Sequence, residues 1–253
     1  MNPDSIESSW LAVRAAAKAG LRALTGQLPS RYEEPWRGEF ESRIQALLAP
    51  GMRILDVGSG ARPAVPPERR PVRCHYVGLD ISLRQLHMAP PGSYDELRAG
   101  DIAVRAEDLT GQFDLALSWQ VLEHVRPMAE AVENVRSYLR PGGHFVAQVS
   151  GSFSVFALVN RVTPHRLGVW TVSQLTGREP ESIFPAYYDQ CWYGALERIL
   201  RPWESWEIVP RYLAGGYLKS VRPLAALYLA YEEWAFLRRH RNLANYYLID
   251  AVR

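Results

Sequence analysis

The spacing of hydrophobic residues changes near residue 50. Apolar positions recur at helical intervals over residues 5–24 and 36–48, which predicts two N-terminal helices. From residue 52 onward, short apolar runs bounded by Gly, Pro or Asp predict buried parallel strands. These runs cover residues 52–57, 73–79, 113–118 and 144–149, with a weaker strand at 94–97.

Helical stretches separate these strands, most clearly at residues 128–139. There the apolar side chains share one face, and Pro141-Gly142-Gly143 ends the helix. Alternation of strands with helices predicts right-handed crossovers and an open, doubly wound α/β sheet. Ligands of such sheets bind at the carboxyl ends of the strands. We therefore expect residues 56–60, 80–82, 101–102 and 118–120 to lie along one edge.

The residues after 150 follow a different pattern. They predict helices at 153–167, 171–175, 188–200 and 224–239, and strands at 203–212 and 246–252. The two late strands are expected to complete the same sheet as an antiparallel pair at its edge. We therefore expect a single domain over residues 1–253, with N-terminal helices at 1–49, a core at 50–150 and an acceptor-side extension at 151–253. Whether residues 1–49 close over the site as a lid stays open.

Composition and charge narrow the possible classes. The 253 residues are 47% hydrophobic and 22% charged, and no apolar run approaches the length of a membrane span. A net charge of +2 without a basic block argues against nucleic acid as a partner. Residues 1–9 lack the features of a secretory signal, so we expect a cytoplasmic protein. Cys74 and Cys191 lack metal-ligand spacing, so we expect neither a disulfide nor a metal site.

The stretch ILDVGSG, residues 54–60, combines a buried strand with an aspartate and two glycines. Glycines lack Cβ atoms, so a nucleotide-type cofactor can approach the backbone of such a turn closely. Asp80 ends the next strand, where a carboxylate can accept hydrogen bonds from both hydroxyls of a ribose. Alternatively, Asp80 is a turn or helix-capping residue, although Ser82 can fill the capping role instead.

Several motifs together resemble the class I S-adenosylmethionine-dependent methyltransferases. In order, they are Asp56-Val57-Gly58-Ser59-Gly60, Asp80, Gly100-Asp101-Ile102, the strand 113–117 running into Val121-Leu122-Glu123-His124-Val125, and Leu139-Arg140-Pro141-Gly142-Gly143. The resemblance covers about residues 50–150. It implies S-adenosylmethionine as cofactor and a mostly parallel, seven-stranded Rossmann-like sheet with an antiparallel edge strand and helical insertions.

A dinucleotide-binding Rossmann enzyme is the nearest alternative, because its glycine loop also follows a first strand. In this chain Arg62-Pro63 follows Gly60, so proline replaces the third glycine of GxGxxG, which disfavours NAD. The methyltransferase pattern commonly has a third glycine where Arg62 stands. This departure concerns how the loop wraps the methionine end of the cofactor.

The resemblance assigns cofactor roles to the first two strand ends. Asp56 would orient the turn, and Gly58 to Gly60 would line the methionine portion of the cofactor. Asp80 would hold the ribose, with Ile81 packed beside the adenine.

It also assigns roles to the third and fourth strand ends. Asp101 would meet the adenine amino group while Ile102 contacts the ring; alternatively, Asp101 is a solvated loop acid. Ser118, Trp119 and Gln120 would flank the methionine end of the cofactor and the acceptor. Trp119 is alternatively a core residue because of its size.

Methyl transfer requires an aligned acceptor more than elaborate catalytic groups, because a sulfonium methyl is already electrophilic. A hydroxyl acceptor also requires a base, and His124 is the best placed candidate because it follows the fourth strand. The alternative is a structural histidine beside Glu123. His75 and His144 stand at strand starts, on the opposite edge of the predicted sheet.

The region after the core carries a second resemblance. Asn160-Arg161-Val162-Thr163-Pro164, Leu175-Thr176-Gly177-Arg178 and Phe184-Pro185-Ala186-Tyr187-Tyr188 are similar to bacterial methyltransferases of polysaccharide or glycolipid biosynthesis. This implies O-methylation of a sugar hydroxyl in a glycan or glycolipid. The alternatives are a quinone, polyketide or other small metabolite as acceptor, or a binding protein that keeps the fold without transfer activity. The aromatic residues among them are alternatively ordinary packing.

A last pattern lies at residues 223–241. Leu224, Leu227, Tyr228, Tyr231 and Trp234 form a helical stripe that leads into Arg238-Arg239-His240-Arg241. The stripe is compatible with peripheral contact to an anionic membrane. Such a stripe is more often core or a subunit contact, and we favour the core role for it. The sequence does not predict an oligomeric state.

Overall fold

The structure is a computed structural model of the chain. It describes residues 3–33, 35, 37–154, 157–158, 160, 184–214 and 221–253, with side chains from residue 10 onward. The predicted helix at 171–175, most of the one at 153–167, and the motifs at 161–164 and 175–178 lie outside these residues.

Within these residues, seven strands form one sheet in the order β3-β2-β1-β4-β5-β7-β6. The strands are β1 (Arg53–Val57), β2 (His75–Asp80), β3 (Glu96–Ala99), β4 (Phe113–Trp119), β5 (Leu139–Ser150), β6 (Ser205–Arg211) and β7 (Tyr246–Val252). The first five pair in parallel with their neighbours, as predicted. β7 runs antiparallel between β5 and β6, so the two late strands form the antiparallel pair at that edge.

The helices follow the predicted ranges, except that the one predicted at 188–200 begins at Tyr193, because Tyr188 and Gln190 have positive φ angles. The helices are α1 (Pro3–Leu24), α2 (Gly38–Leu47), α3 (Leu83–His87), α4 (Met128–Tyr138), α5 (Tyr193–Leu200) and α6 (Arg222–Leu237). The second helix begins at Gly38, after the predicted start at Trp36, which lies outside the described residues. β5 begins at Leu139, earlier than predicted, because this residue pairs with Phe113 of β4 directly after α4 ends.

Apolar side chains cover both faces of the central strands, which explains their continuous hydrophobic runs. On one face, Leu55, Ala116 and Phe145 pack in a cluster with α4 and α5. On the other face, Ile54 and Leu117 pack with residues of α2. The core therefore fixes the strand ends from both sides and leaves their carboxyl tips at one edge.

The first helix, α1, packs along α6 through small residues. Ala12, Ala16 and Ala23 are buried, and a Cβ atom added to Gly20 would lie 2.8 Å from the backbone oxygen of Ala226. The interface is therefore close, with little room for larger side chains.

The core role that we favoured for the stripe on α6 is wrong for part of it. Leu224, Leu227 and Tyr231 are exposed, while Tyr228 and Trp234 are half-buried. The buried face of α6 instead carries Ala225, Leu229, Glu232 and Ala235. A helical stripe indicates which residues share a face, but the packing of the other elements decides which face is covered. No helix among the described residues is long and apolar enough to cross a membrane.

Candidate functional site

The turn after β1 is held by a buried carboxylate. Asp56 is 1% exposed, and its Oδ2 accepts the backbone N–H of Ala64 at 2.6 Å and the hydroxyl of Tyr76 at 2.7 Å. Burial raises the pKa of Asp56 to about 6, although the two hydrogen bonds act in the opposite direction. The aspartate in the strand thus ties the loop after the glycines back to the sheet.

Two tyrosines outside the predicted site complete this support. The hydroxyl of Tyr76 also accepts the N–H of Val65 at 3.1 Å, and the hydroxyl of Tyr94 donates to the carbonyl of Gly60 at 2.9 Å. A Cβ atom on Gly78 would lie 2.7 Å from the Tyr94 ring, so a glycine in β2 makes room for this contact. The sequence did contain a signal for the contact of Tyr76. This tyrosine lies inside a predicted buried strand, where its hydroxyl requires a hydrogen-bond partner.

The two glycines of the turn have different tasks. Gly58 has φ +68° and packs against Val121, whose Cγ2 would lie 2.3 Å from an added Cβ atom. Gly60 has φ +49° and faces more open space, where the nearest atom to an added Cβ is Asp80 Oδ2 at 3.7 Å. The room for a ligand that the motif predicts therefore lies at Gly60, whereas Val121 fills the space beside Gly58.

Asp80 bridges the turn and the next loop. Its Oδ2 accepts the N–H of Gly60 at 3.0 Å, and its Oδ1 accepts the N–H of Ser82 at 2.8 Å. Ser82 is the N-cap of α3, because its hydroxyl accepts the N–H of Gln85. Burial raises the pKa of Asp80. The capping role thus belongs to Ser82, and the Asp80 carboxylate retains lone pairs that can accept further hydrogen bonds.

The two predicted adenine-contacting hydrophobic residues differ in exposure. Ile81 is 62% exposed beside Asp80, whereas Ile102 is 6% exposed and packs into the core. Asp101 is exposed, and its Oδ1 accepts the N–H of Ala103 at 2.9 Å. An exposed isoleucine and an exposed carboxylate therefore lie at the ends of β2 and β3, while contact of Ile102 with a cofactor stays a prediction.

Three predicted residues lie at the end of β4. Ser118 is fully buried. The Trp119 ring is tilted by 56° against the ring of Phe40, with 4.8 Å between their centroids, and the guanidinium of Arg37 lies 4.6 Å above it. Gln120 has φ +54°, and its N–H donates to the carbonyl of Gln148 at 2.7 Å. Trp119 is therefore half-buried between the core and the edge. It packs against a core residue, as the core interpretation predicts, and it stands at the end of β4, where the cofactor interpretation places it.

His124 lies against the segment that carries the second resemblance. Its Nδ1 is 3.0 Å from the carbonyl oxygen of Pro185. The carbonyl of Glu123 accepts the N–H groups of Tyr187 and Tyr188 at 2.9 and 3.0 Å. Tyr188 is buried, whereas Phe184 and Tyr187 are exposed. Residues 184–188 and the loop after β4 are therefore fastened together, which the sequence could not predict.

His75 is the first residue of β2, as predicted, whereas His144 lies five residues inside β5 because that strand begins at Leu139; it pairs there with Leu115 near the start of β4. His75 pairs with Glu96 across β2 and β3, and His144 with Asp250 across β5 and β7. The start of each parallel strand is the edge opposite the glycine turn. His124 is therefore the histidine of these three that lies with the predicted site.

A row of buried polar side chains extends the same edge beyond β4. Gln148 is fully buried, and neither atom of its amide has a hydrogen-bond partner in the part of the chain that the structure describes. Arg211 at the end of β6 is 6% exposed, and its Nη1 also lacks a partner among those residues. Strand register places both on the face that α2 covers, and Arg211 Nε lies 3.6 Å from Glu39 of that helix.

The edge as a whole fits an adenosyl group. The missing Cβ of Gly60, the free lone pairs of Asp80 and the exposed side chain of Ile81 provide open space, ribose acceptors and an apolar surface in sequence order. With the strand order and the antiparallel seventh strand, these features define a class I S-adenosylmethionine-dependent methyltransferase. S-adenosylmethionine is the cofactor of this class.

The family comparison identifies the same class. The family described as "Methyltransferase domain" matches residues 31–207, and the chain belongs to this family. This confirms the class that the motifs predicted.

Curated relatives resemble the core over about half of their own length. The ubiquinone biosynthesis O-methyltransferase of Chelativorans sp. (strain BNC1) is 32% identical over 114 residues, which are 43% of this chain and 44% of the relative. The protein of the same name from Dechloromonas aromatica (strain RCB) is 30% identical over 135 residues, 47% of this chain and 57% of the relative.

Solved structures share the fold at low identity. An S-adenosylmethionine-dependent methyltransferase from Mesorhizobium loti has a TM-score of 0.51 and 17% identity, covering 88% of this chain and 100% of its own. Phosphoethanolamine N-methyltransferase 2 of Haemonchus contortus, in complex with S-adenosyl-L-methionine, has a TM-score of 0.52 and 15% identity, covering 86% of this chain and 52% of its own. Because both identities are low, this similarity establishes the fold alone.

Proposed function

We propose that this chain transfers the methyl group of S-adenosylmethionine to a hydroxyl oxygen, with His124 as the general base. The contact of His124 with Pro185 carries the proposal. A carbonyl oxygen can only accept, so Nδ1 must hold the hydrogen in this 3.0 Å contact. Nε2 of the neutral ring then presents its lone pair, and no described residue hydrogen-bonds to it. A hydroxyl acceptor requires such a base, because its proton must leave as the oxygen bonds to carbon.

The cofactor contributes an electrophilic methyl group, and the residues of this chain hold and orient it. Asp80 would accept the ribose hydroxyls, and the turn at Gly58 to Gly60 would line the methionine portion. Ile81 and Asp101 would contact the adenine. His124 Nε2 would receive the acceptor proton, which leaves imidazolium hydrogen-bonded to the Pro185 carbonyl.

The acceptor that we assign is a sugar hydroxyl of a glycan or glycolipid. Buried groups of both kinds that have no hydrogen-bond partner within the described parts of the chain support a polyhydroxylated acceptor: the Gln148 amide nitrogen and Arg211 Nη1 can donate, while the Gln148 amide oxygen and Glu123 Oε2 can accept. Sugar hydroxyls both donate and accept, so they can satisfy such a mixed set. The exposed rings of Phe184 and Tyr187 next to His124 can stack on the apolar face of a sugar.

A phenolic hydroxyl of a quinone precursor is the second candidate acceptor. The relatives from Chelativorans and Dechloromonas are named ubiquinone biosynthesis O-methyltransferases, which supports an oxygen acceptor. Their similarity covers less than half of this chain. It therefore supports O-methylation as the reaction more strongly than it supports a quinone precursor as the acceptor. A cytoplasmic location and the absence of a nucleic-acid partner stay predictions from the sequence.

The test combines cofactor binding with product analysis. S-adenosylhomocysteine binding by calorimetry comes first, and a folded protein that does not bind it would contradict the proposal. Labelled S-adenosylmethionine is then incubated with a cell-envelope glycan fraction and, separately, with hydroxylated benzoquinol precursors. We expect label as an O-methyl ether in carbohydrate. Label in the quinol alone moves the assignment to the second candidate, and label on nitrogen or carbon contradicts O-methylation.

The role of His124 is tested with His124→Gln and the control His87→Gln on exposed α3. We expect the first variant to lower kcat by about 100-fold or more, the usual contribution of a general base, with S-adenosylhomocysteine affinity unchanged. The control should retain the wild-type kcat. An unchanged rate in His124→Gln would exclude the base.

A further inference from the structure

The helix α1 exposes a continuous apolar stripe. Trp10, Val13, Leu21 and Leu24 are 64%, 48%, 67% and 40% exposed. At the helical rotation of about 100° per residue, these four side chains fall within an arc of about 80°. Ala17 lies inside the same arc and is also exposed. Large apolar side chains that share one solvent-facing stripe mark an interaction surface more clearly than scattered ones do.

Three cations border this stripe. Arg14, Lys18 and Arg22 follow one another at intervals of one helical turn, and all three are exposed. None of them has an ion-pair partner among the residues whose side chains the structure describes, which on α1 begin at Trp10. Elsewhere on the surface, exposed arginines such as Arg69 and Arg105 pair with glutamates. The cations of α1 are therefore available for an anionic partner.

The packing of α1 keeps this stripe outward. Its small residues are occupied by α6, as the buried Ala16 and the close approach of Gly20 to Ala226 show. The segment after α1 is fastened to the same helix, because Arg31 pairs with both Glu232 and Glu233 at 3.0 and 2.5 Å. Glu232 is 1% exposed, so this anchor is largely removed from water. Rotation of α1 that buries the stripe would break these contacts.

We propose that the outward face of α1 docks on the surface of an anionic lipid bilayer. The apolar stripe enters the boundary between headgroups and acyl chains, and the three cations meet lipid phosphates beside it. The charges on α1 favour this parallel orientation over a spanning one. A second copy of this chain fits less well, because two apposed α1 helices, each with three cations and two acids, would carry net charge of the same sign and repel. Docking does not depend on methyl transfer, although it would bring the site to acceptors carried by lipid.

The test measures co-sedimentation of the full chain with phosphatidylcholine vesicles, with and without phosphatidylglycerol. We expect binding to the anionic vesicles at low salt and weaker binding at high salt, because the cations are exposed. The triple variant Arg14→Glu/Lys18→Glu/Arg22→Glu should bind on the order of 100-fold more weakly, from about a fivefold loss per cation near a charged surface. Trp10→Ser/Leu21→Ser should also lower binding, and to a similar degree at both salt concentrations.

A matched control separates this surface from net charge. Arg73→Glu/Arg198→Glu/Arg201→Glu changes three exposed arginines outside α1 and alters the formal net charge by the same amount. It should retain more than half of the vesicle binding. Circular dichroism melts check that each variant folds, and methyl transfer to a water-soluble acceptor checks the site separately.

Three results would overturn the proposal. In the first, the wild-type chain does not bind anionic vesicles. In the second, the α1 charge variant binds them as well as the wild type. In the third, the control variant loses as much binding as the α1 variant. A wild-type dimer in sedimentation equilibrium that Trp10→Ser/Leu21→Ser dissociates, together with no vesicle binding, would assign the stripe to a second copy and would also overturn it.

Discussion

The hydroxyl of Tyr76 on β2 donates to the carboxylate of Asp56 on β1 at 2.7 Å, and both side chains are buried. The same hydroxyl accepts the N–H of Val65, and the same carboxylate accepts the N–H of Ala64. The two side chains thereby hold both backbone groups of the loop that returns from the glycine turn. The shape of the cofactor edge depends on this pair, although neither residue is exposed there.

Replacing Tyr76 with Phe should destabilise the protein and loosen the cofactor site. The change leaves the buried N–H of Val65 without a partner, which costs about 1–3 kcal/mol in the free energy of unfolding. We expect weaker S-adenosylhomocysteine binding as well, measured by calorimetry beside urea denaturation. Tyr138→Phe is the control, because that hydroxyl accepts the N–H of Ala106 at 2.8 Å in another part of the fold. It should lower stability without changing affinity; equal effects of both variants on affinity would contradict this.

Asp56 should make stability depend on pH between about 4 and 6. Burial raises its pKa from 3.8 to about 6, so the native state holds a proton more tightly than the unfolded state. The ionised carboxylate therefore costs stability above pH 6, and this cost disappears as the pH falls below the unfolded value. Relative to that of Asp56→Asn, the free energy of unfolding of the wild type should rise by up to roughly 3 kcal/mol on acidification through this window. Urea denaturation at several pH values checks this, and parallel pH curves for the two proteins would refute it.

Gly58→Ala should destabilise the protein for two separable reasons. The left-handed backbone at φ +68° costs a non-glycine residue about 1–2 kcal/mol. The added methyl would also overlap Val121, at about 1–3 kcal/mol for overpacking. In the background Val121→Gly, which removes the Cγ atoms and also the Cβ atom that would lie 2.9 Å from the added methyl, only the backbone cost should remain. Gly92→Ala is the control, because Gly92 has φ +78° with nothing within 4 Å. Thermal unfolding of Gly58→Ala, of the Val121 background variant, of the double variant and of Gly92→Ala measures both the backbone cost and the steric cost. If Gly58→Ala loses no more stability than Gly92→Ala, the steric cost is excluded.

Asp80→Asn should weaken cofactor binding while the domain stays folded. The amide oxygen can still accept one backbone N–H, but the charge that would strengthen the ribose hydrogen bonds is lost. A hydrogen bond to a charged group contributes about 1.5–3 kcal/mol, so we expect roughly 10- to 100-fold weaker S-adenosylhomocysteine binding. Ser82→Ala removes the cap of α3 instead, and should lower stability by about 1 kcal/mol with affinity unchanged. Unchanged affinity in Asp80→Asn would remove the ribose role.

Local patterns predicted most of the elements and the edge where they end. The strand that includes Asp56 and the helix at 128–138 follow from hydrophobic spacing and from Gly and Pro at their ends, because these signals act within a few residues. The competing roles of Asp80 and Ser82 were also visible in sequence, and the hydrogen bond to Gln85 decides between them. The membership of the chain in a methyltransferase family agrees with the motifs that those elements carry.

The sequence by itself determined which segments become strands and helices and which residues stand at their carboxyl ends, because periodicity and turn residues act locally. Only the tertiary structure decided which side chains meet. It placed β7 between β5 and β6, set Tyr76 against Asp56 and Pro185 against His124, and left Leu227 in solvent. These contacts join residues far apart in the chain, and a face that is apolar in sequence becomes core only where another element covers it.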